Sequence, residues 1–216
     1  MTIINYYKKK REIAIRFARE NGLLIRKDTN GTLMELQFLD KNGFPKYYIT
    51  HNASAAATTA TSRVYNGGGL GLSLDGSNMK AGLWDGGNVR TTHQEFNNTG
   101  SPRVVNINAA TENSHSTHVA GTITGGGINL NAKGMAYNAS VDAYEWTDDL
   151  SEMGTAAANG LLISNHSYGF ISGWYSDGYN WYWYGNTDIS PVEDYIFGFY
   201  DAYSADFDNL AVNAPY

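Results

Sequence analysis

The sequence predicts an α/β chain: a parallel sheet with helices on both faces, preceded by a small α+β module. Three observations carry this. From residue 79 onward, short apolar runs alternate with helical patterns. Residues 1–50 carry one helical repeat and then turn signals between apolar stretches. The charge also changes sign between the two parts: residues 1–50 hold ten Lys/Arg against five Asp/Glu (net +5), and residues 51–216 hold five against sixteen (net −11), which together make the −6 of the chain. A sign change of this size reads as two modules that attract each other. A basic nucleic-acid arm is the competing reading, disfavoured because the basic residues alternate with apolar ones in a helical pattern.

Residues 5–21 read as a helix, with Ile13, Ile15, Phe17 and Ala18 as its apolar stripe and Asn21-Gly22 as its stop. Two strands follow, Leu23–Lys27 and Leu33–Leu39, around Asp28-Thr29-Asn30-Gly31, a hairpin signal. Asn42-Gly43 turns the chain into Lys46–Thr50. Residues 52–62 lack large side chains and read as a linker or processing stretch, with a helical start as the alternative. Gly67-Gly68-Gly69-Leu70-Gly71 is a loop without the residues of a phosphate cradle.

Met79–Trp84 and Val104–Ile107 read as strands and His115–Thr124 as a helix before Gly125. Ala139–Tyr144 is a strand, Asp148–Asn159 a helix ended by Gly160, Leu161–Ser167 a strand and Asp194–Ser204 a helix. The expected division is residues 1–50, a small α+β module; 51–77, a linker and lead-in; and 78–216, an α/β domain. Asp208–Tyr216 reads as the approach to a further strand.

The chain of 216 residues has no cysteine, so disulfides and thiolate metal sites are excluded. It has no long apolar run to span a membrane, and Met1–Arg11 is not followed by the apolar core of a signal peptide. No nucleic-acid or membrane partner is expected.

Asp85 stands at the end of an apolar run, Ala81-Gly82-Leu83-Trp84, which in a parallel sheet is where sites form. It reads equally as an Asp-Gly turn. His115 opens a helix of small residues thirty positions later. An acid that orients a histidine base is two thirds of a nucleophilic triad. His115 and His118 also allow a metal site, but the i, i+4 spacing with an intervening Glu is missing; no metal ligands are assigned. Ser167 lacks the Gly two residues before it that a nucleophile elbow needs, since Asn165 stands there.

These segments resemble the subtilisin-like serine proteases (subtilases). Asp85-Gly86-Gly87 followed by His93-Gln94-Glu95-Phe96 is similar to the family's aspartate motif. His115 to Thr122 matches the family's His-Gly-Thr-His-Val-Ala-Gly-Thr at seven of eight positions, with Ser116 in place of glycine. Ser116 is small enough for the base to survive. Asn165-His166-Ser167-Tyr168-Gly169 is similar to the Asn-x-Ser-x-Gly strand that pairs with extended substrates.

The resemblance implies a partial subtilisin-like domain and a serine endopeptidase acting on polypeptides. It implies Asp85 and His115 as catalytic residues and Ser167, Tyr168 and Gly169 as substrate-binding residues. The family's serine motif and oxyanion asparagine do not occur in these residues, so the chain alone is expected to be inactive and to need the other half of the domain as a partner. The N-terminal module would be an intramolecular propeptide. Secretion or the cell envelope is implied, no organic cofactor is, and calcium is allowed as a structural ion; Asp177, Asp188 and Asp194 are candidate ligands without a specifying spacing. Trp174 to Tyr184 holds seven aromatics in eleven residues with no sustained period. It reads as a loop packed on itself or on the remainder of the domain, or as a cleft-edge contact for substrate or carbohydrate. A non-catalytic binding protein on a half-subtilase scaffold and a metal-dependent hydrolase are the rival functions.

Overall fold

The computed structural model describes residues 3–29, 32–39, 43–49, 52–97, 100–176 and 180–214. The Asn30-Gly31 turn, Asn42, Asp177, Pro215 and Tyr216 lie outside the described residues. The described residues fall into two compact units. One takes in the chain up to Met79 with Thr91–Arg103 and Ala120–Ser140; the other takes Lys80–Arg90, Val104–Val119 and the chain from Val141 on.

The chain opens with α1 (Ile3–Glu20), then β1 (Arg26–Thr29), β2 (Thr32–Leu39) and β3 (Pro45–Ile49) in an antiparallel sheet of order β1-β2-β3. Its core is Ala14, Ala18 and Leu36, with Leu23, Ile25 and Leu39 packed around them. The buried helix face is therefore turned from the expected stripe: Ile13 is exposed, and two alanines spaced i, i+4 are fully buried. Small residues at that spacing let a helix lie close to a sheet. The Ala-rich stretch after it forms α2 (Asn52–Thr58), in keeping with the helix propensity of alanine.

In the same unit Glu95 is buried. Its carboxylate accepts the backbone N–H groups of Gly127, Ile128 and Asn129 at 2.7, 3.0 and 2.8 Å. One side chain thereby satisfies three consecutive backbone N–H groups.

The second sheet comprises β4 (Lys80–Asp85), β5 (Val104–Asn106), β6 (Ser140–Glu145) and β7 (Ser164–His166) in the order β5-β6-β4-β7. The pairings β5–β6 and β4–β7 are parallel. Between strands run α3 (Ser114–Thr124) and α4 (Asp149–Ala158). The architecture is α/β, a parallel four-stranded sheet with helices. Its core is Trp84 with Met153, Ala156 and Leu161. Trp84 stacks on Tyr144 at 4.2 Å between centroids and on His166 at 5.3 Å, and its Nε1 donates to Glu152. Gly82 makes room for this: a Cβ there would lie 2.4 Å from the Trp84 ring.

Three expectations are corrected. The strand predicted over Leu161–Ser167 is only three residues long. Leu161 turns in under α4, while Leu162 and Ile163 are exposed beside β7, an outer strand of the sheet. The helix predicted at Asp194–Ser204 is instead α5 (Ala202–Asn213). Asp194 is buried and accepts from Gly173 N and Ile196 N, Gly198 sits at φ +70°, and the helix starts where Asp201 accepts from Ser204 N. The approach to a strand expected from Asp208 onward is this helix, which packs Phe207 and Leu210 on the Trp84 core. The aromatic segment forms a hairpin, β8 (Trp174–Ser176) with β9 (Trp181–Trp183). One face carries Trp174, Trp181 and Trp183, the other Tyr175 and Tyr182. Its period of two was hidden because both faces are aromatic. No helix among the described residues is long and apolar enough to cross a membrane.

Candidate active site

Asp85 is the last residue of β4 and is buried, with its side chain 3% exposed. The chain turns at once through Gly86 and Gly87. Gly87 has φ +154°, and a Cβ there would meet Thr111 O at 2.6 Å, so only glycine lets the strand end pass so close to the start of α3. Asn113 joins the two: its Oδ1 caps the helix by accepting His115 N at 2.7 Å, and its Nδ2 donates to Gly86 O at 3.3 Å.

His115 lies in the first turn of α3. Its Nδ1 is 2.9 Å from both carboxylate oxygens of Asp85. With Nδ1–H donating to the acid, the proton-accepting nitrogen is Nε2. The imidazole is 55% exposed while its acid partner is shielded. The carboxylate also accepts Gly86 N at 2.7 Å and the Ser116 hydroxyl at 3.0 Å, both on Oδ1. Among the described residues it thus meets three donors, His115, Gly86 and Ser116, at the start of a helix. Such a pair can hold one imidazole tautomer and stabilise its protonated form.

The predicted substrate segment follows β7. Ser167 is exposed and its Oγ accepts from Asn165 Nδ2 at 2.9 Å. Gly169 is exposed. The Tyr168 hydroxyl donates to Asp149 at 2.6 Å and meets His166 Nδ1 at 2.9 Å. Tyr203 donates to the same Asp149 oxygen at 2.5 Å. These groups border a cavity of about 680 Å³ whose wall includes Trp146, Phe170 and Phe207.

Burial raises the Asp149 carboxyl, but hydrogen bonds from Tyr168, Tyr203 and Leu150 N outweigh it and hold its pKa below the ordinary value. Burial depresses His166, partly offset by Asp149. Burial, then Asp149, raises Tyr203 to about 12 and pushes Tyr168 up further. Nothing local in the sequence linked Asp149 to residues 19 and 54 positions away. Asn113 was missed in the sequence, although an Asn just before a helix is a capping signal.

Among the described residues, no group of three or more His, Asp or Glu side chains is gathered to hold a metal. Asp194 does not suit calcium, since its two oxygens face amide donors. Asp188 is exposed.

The family model of the subtilases (peptidase family S8) matches residues 73–191, a span that contains Asp85, the His115–Thr122 segment and Ser167–Gly169. Comparison with curated proteins and with solved structures finds no match.

Proposed function

The chain belongs to the subtilase family, and from that premise we propose that it supplies the acid and the base of a serine endopeptidase. Asp85 holds the His115 ring. His115 Nε2 takes the proton of a serine hydroxyl as that oxygen attacks the peptide carbonyl, and then gives it to the leaving amine. The observation that carries the reading is the shielded carboxylate set 2.9 Å from Nδ1 of an exposed imidazole. Ser167, Tyr168 and Gly169 would offer main chain to an extended polypeptide substrate.

The serine and the oxyanion donor come from outside these 216 residues in this proposal. Exposed Leu162 and Ile163, just before outer strand β7, support a partner half that adds the next strand. Residues 1–50 would act as a propeptide, and export is expected with the family.

A serine-directed fluorophosphonate probe tests the proposal. The 216-residue chain should remain unlabelled, and a product that joins it to the family's serine motif should be labelled, with loss of labelling in His115→Ala. Labelling of the short chain that vanishes in Ser167→Ala would overturn the assignment. A second reading, a binding protein, draws support from Trp174 and Trp181, which are 61% and 69% exposed on one hairpin face. Failure of the joined product to label would favour it.

A further inference from the structure

Position 116 is where the chain departs from its family's histidine motif, and the structure gives that departure a contact. Ser116 is fully buried in the first turn of α3. Its hydroxyl lies 3.0 Å from Asp85 Oδ1. The same oxygen accepts Gly86 N at 2.7 Å. Among the described residues, Oδ2 receives no donor but His115. The donors are therefore unevenly divided: Gly86 and Ser116 both hold Oδ1, and the imidazole alone reaches Oδ2.

A carboxylate held by one backbone amide can swing about its Cβ–Cγ bond. A second donor from a different element removes that freedom. Gly86 belongs to the turn after β4 and Ser116 to the helix, so the pair clamps the carboxylate between the two elements that carry the acid and the base. The alignment matters because both oxygens sit at 2.9 Å from Nδ1, a geometry that small rotations would spoil. A hydroxyl donor also withdraws charge from the carboxylate and so moderates its pull on a protonated imidazole. A glycine at 116 has neither effect.

We infer that Ser116 is a positioning residue, whose hydroxyl sets the orientation and the charge of the Asp85 carboxylate toward His115. This rests on the Asp85–His115 pair acting as acid and base.

The test uses the whole chain. Proton NMR follows the low-field His115 Nδ1–H resonance in the native chain and in Ser116→Ala, Ser116→Thr and Asp85→Asn, with circular dichroism to confirm folding. Ser116→Ala should displace the resonance, since the carboxylate loses one of the donors that hold it. Ser116→Thr should restore it. In a serine-complemented enzyme, Ser116→Ala should lower kcat about five- to tenfold at unchanged KM. If Asp85→Asn displaces the resonance and Ser116→Ala leaves it unmoved, the role of Ser116 is overturned and the pair stands. If Asp85→Asn also changes nothing, the pair itself is refuted and this role falls with it.

Discussion

Two carboxylates in the same unit are buried to nearly the same degree, Asp85 at 2% and Asp149 at 5% exposure, and each has a histidine nearby. They differ in what that histidine can reach. His115 donates to Asp85 through Nδ1 and presents the rest of its ring to solvent. His166 is stacked on Trp84, its Nδ1 meets the Tyr168 hydroxyl and its Nε2 meets Ser164. In the first pair, nothing among the described residues bonds the histidine's Nε2, which is left for proton transfer. In the second cluster every donor closes on another group and the result is rigidity. Burial of a carboxylate beside a histidine therefore says little about catalysis until the exposure of the base is known.

The same substitution at both sites gives the largest contrast. Asp85→Asn, in an enzyme complemented with the serine, should reduce kcat/KM by about 10⁴-fold, because the amide cannot hold the imidazole tautomer. Asp85 also accepts from Gly86 N and the Ser116 hydroxyl, so this variant should lose some stability as well. Asp149→Asn should differ by sparing activity. It places an amide N–H₂ or a weaker acceptor against two tyrosine hydroxyls, and should lower stability by about 1–3 kcal/mol with activity changed far less. Denaturant titration and steady-state kinetics on the two variants decide the matter; an equal split of effects would erase the distinction.

The asymmetry between the regions also explains what the sequence revealed. Asp85 and His115 were legible because each lies in a short local pattern, an acid at a strand end and a histidine before small residues. The parallel sheet was legible for the same reason: Met79–Trp84, Val104–Ile107 and Ala139–Tyr144 are apolar runs whose neighbours settle their state. The Asp149 cluster was not, since its members come from α4, the end of β7 and α5. The start of α5 was misplaced because Asp194 and Asp201 are both acids that suit a helix cap. Only the fold shows that Asp194 is buried, holding Gly173 and Ile196, and that Asp201 caps Ser204. The Ser116 hydroxyl bond needed the helix docked on β4 before it had a partner.

The smallest expected effect sharpens the comparison through pH. The Asp149 pKa is lowered on folding, so the stability it contributes is present above its ordinary value of 3.8 and is lost as pH falls through the lower folded value. The Tyr203 pKa is raised from 10.0 to about 12, so its contribution is intact below pH 10 and disappears as pH rises toward 12. Tyr168 acts in the same direction. Tyr203→Phe removes one hydroxyl from Asp149 and should cost about 1 kcal/mol at neutral pH. It should also flatten part of the alkaline loss between pH 10 and 12, while leaving the alkaline contribution of Tyr168 in place. Melting curves across that range, native against Tyr203→Phe, read this directly. An alkaline limb that keeps its full steepness in the variant would mean that Tyr203 does not share the charge of Asp149, and that the second carboxylate is held by Tyr168 and the Leu150 amide alone.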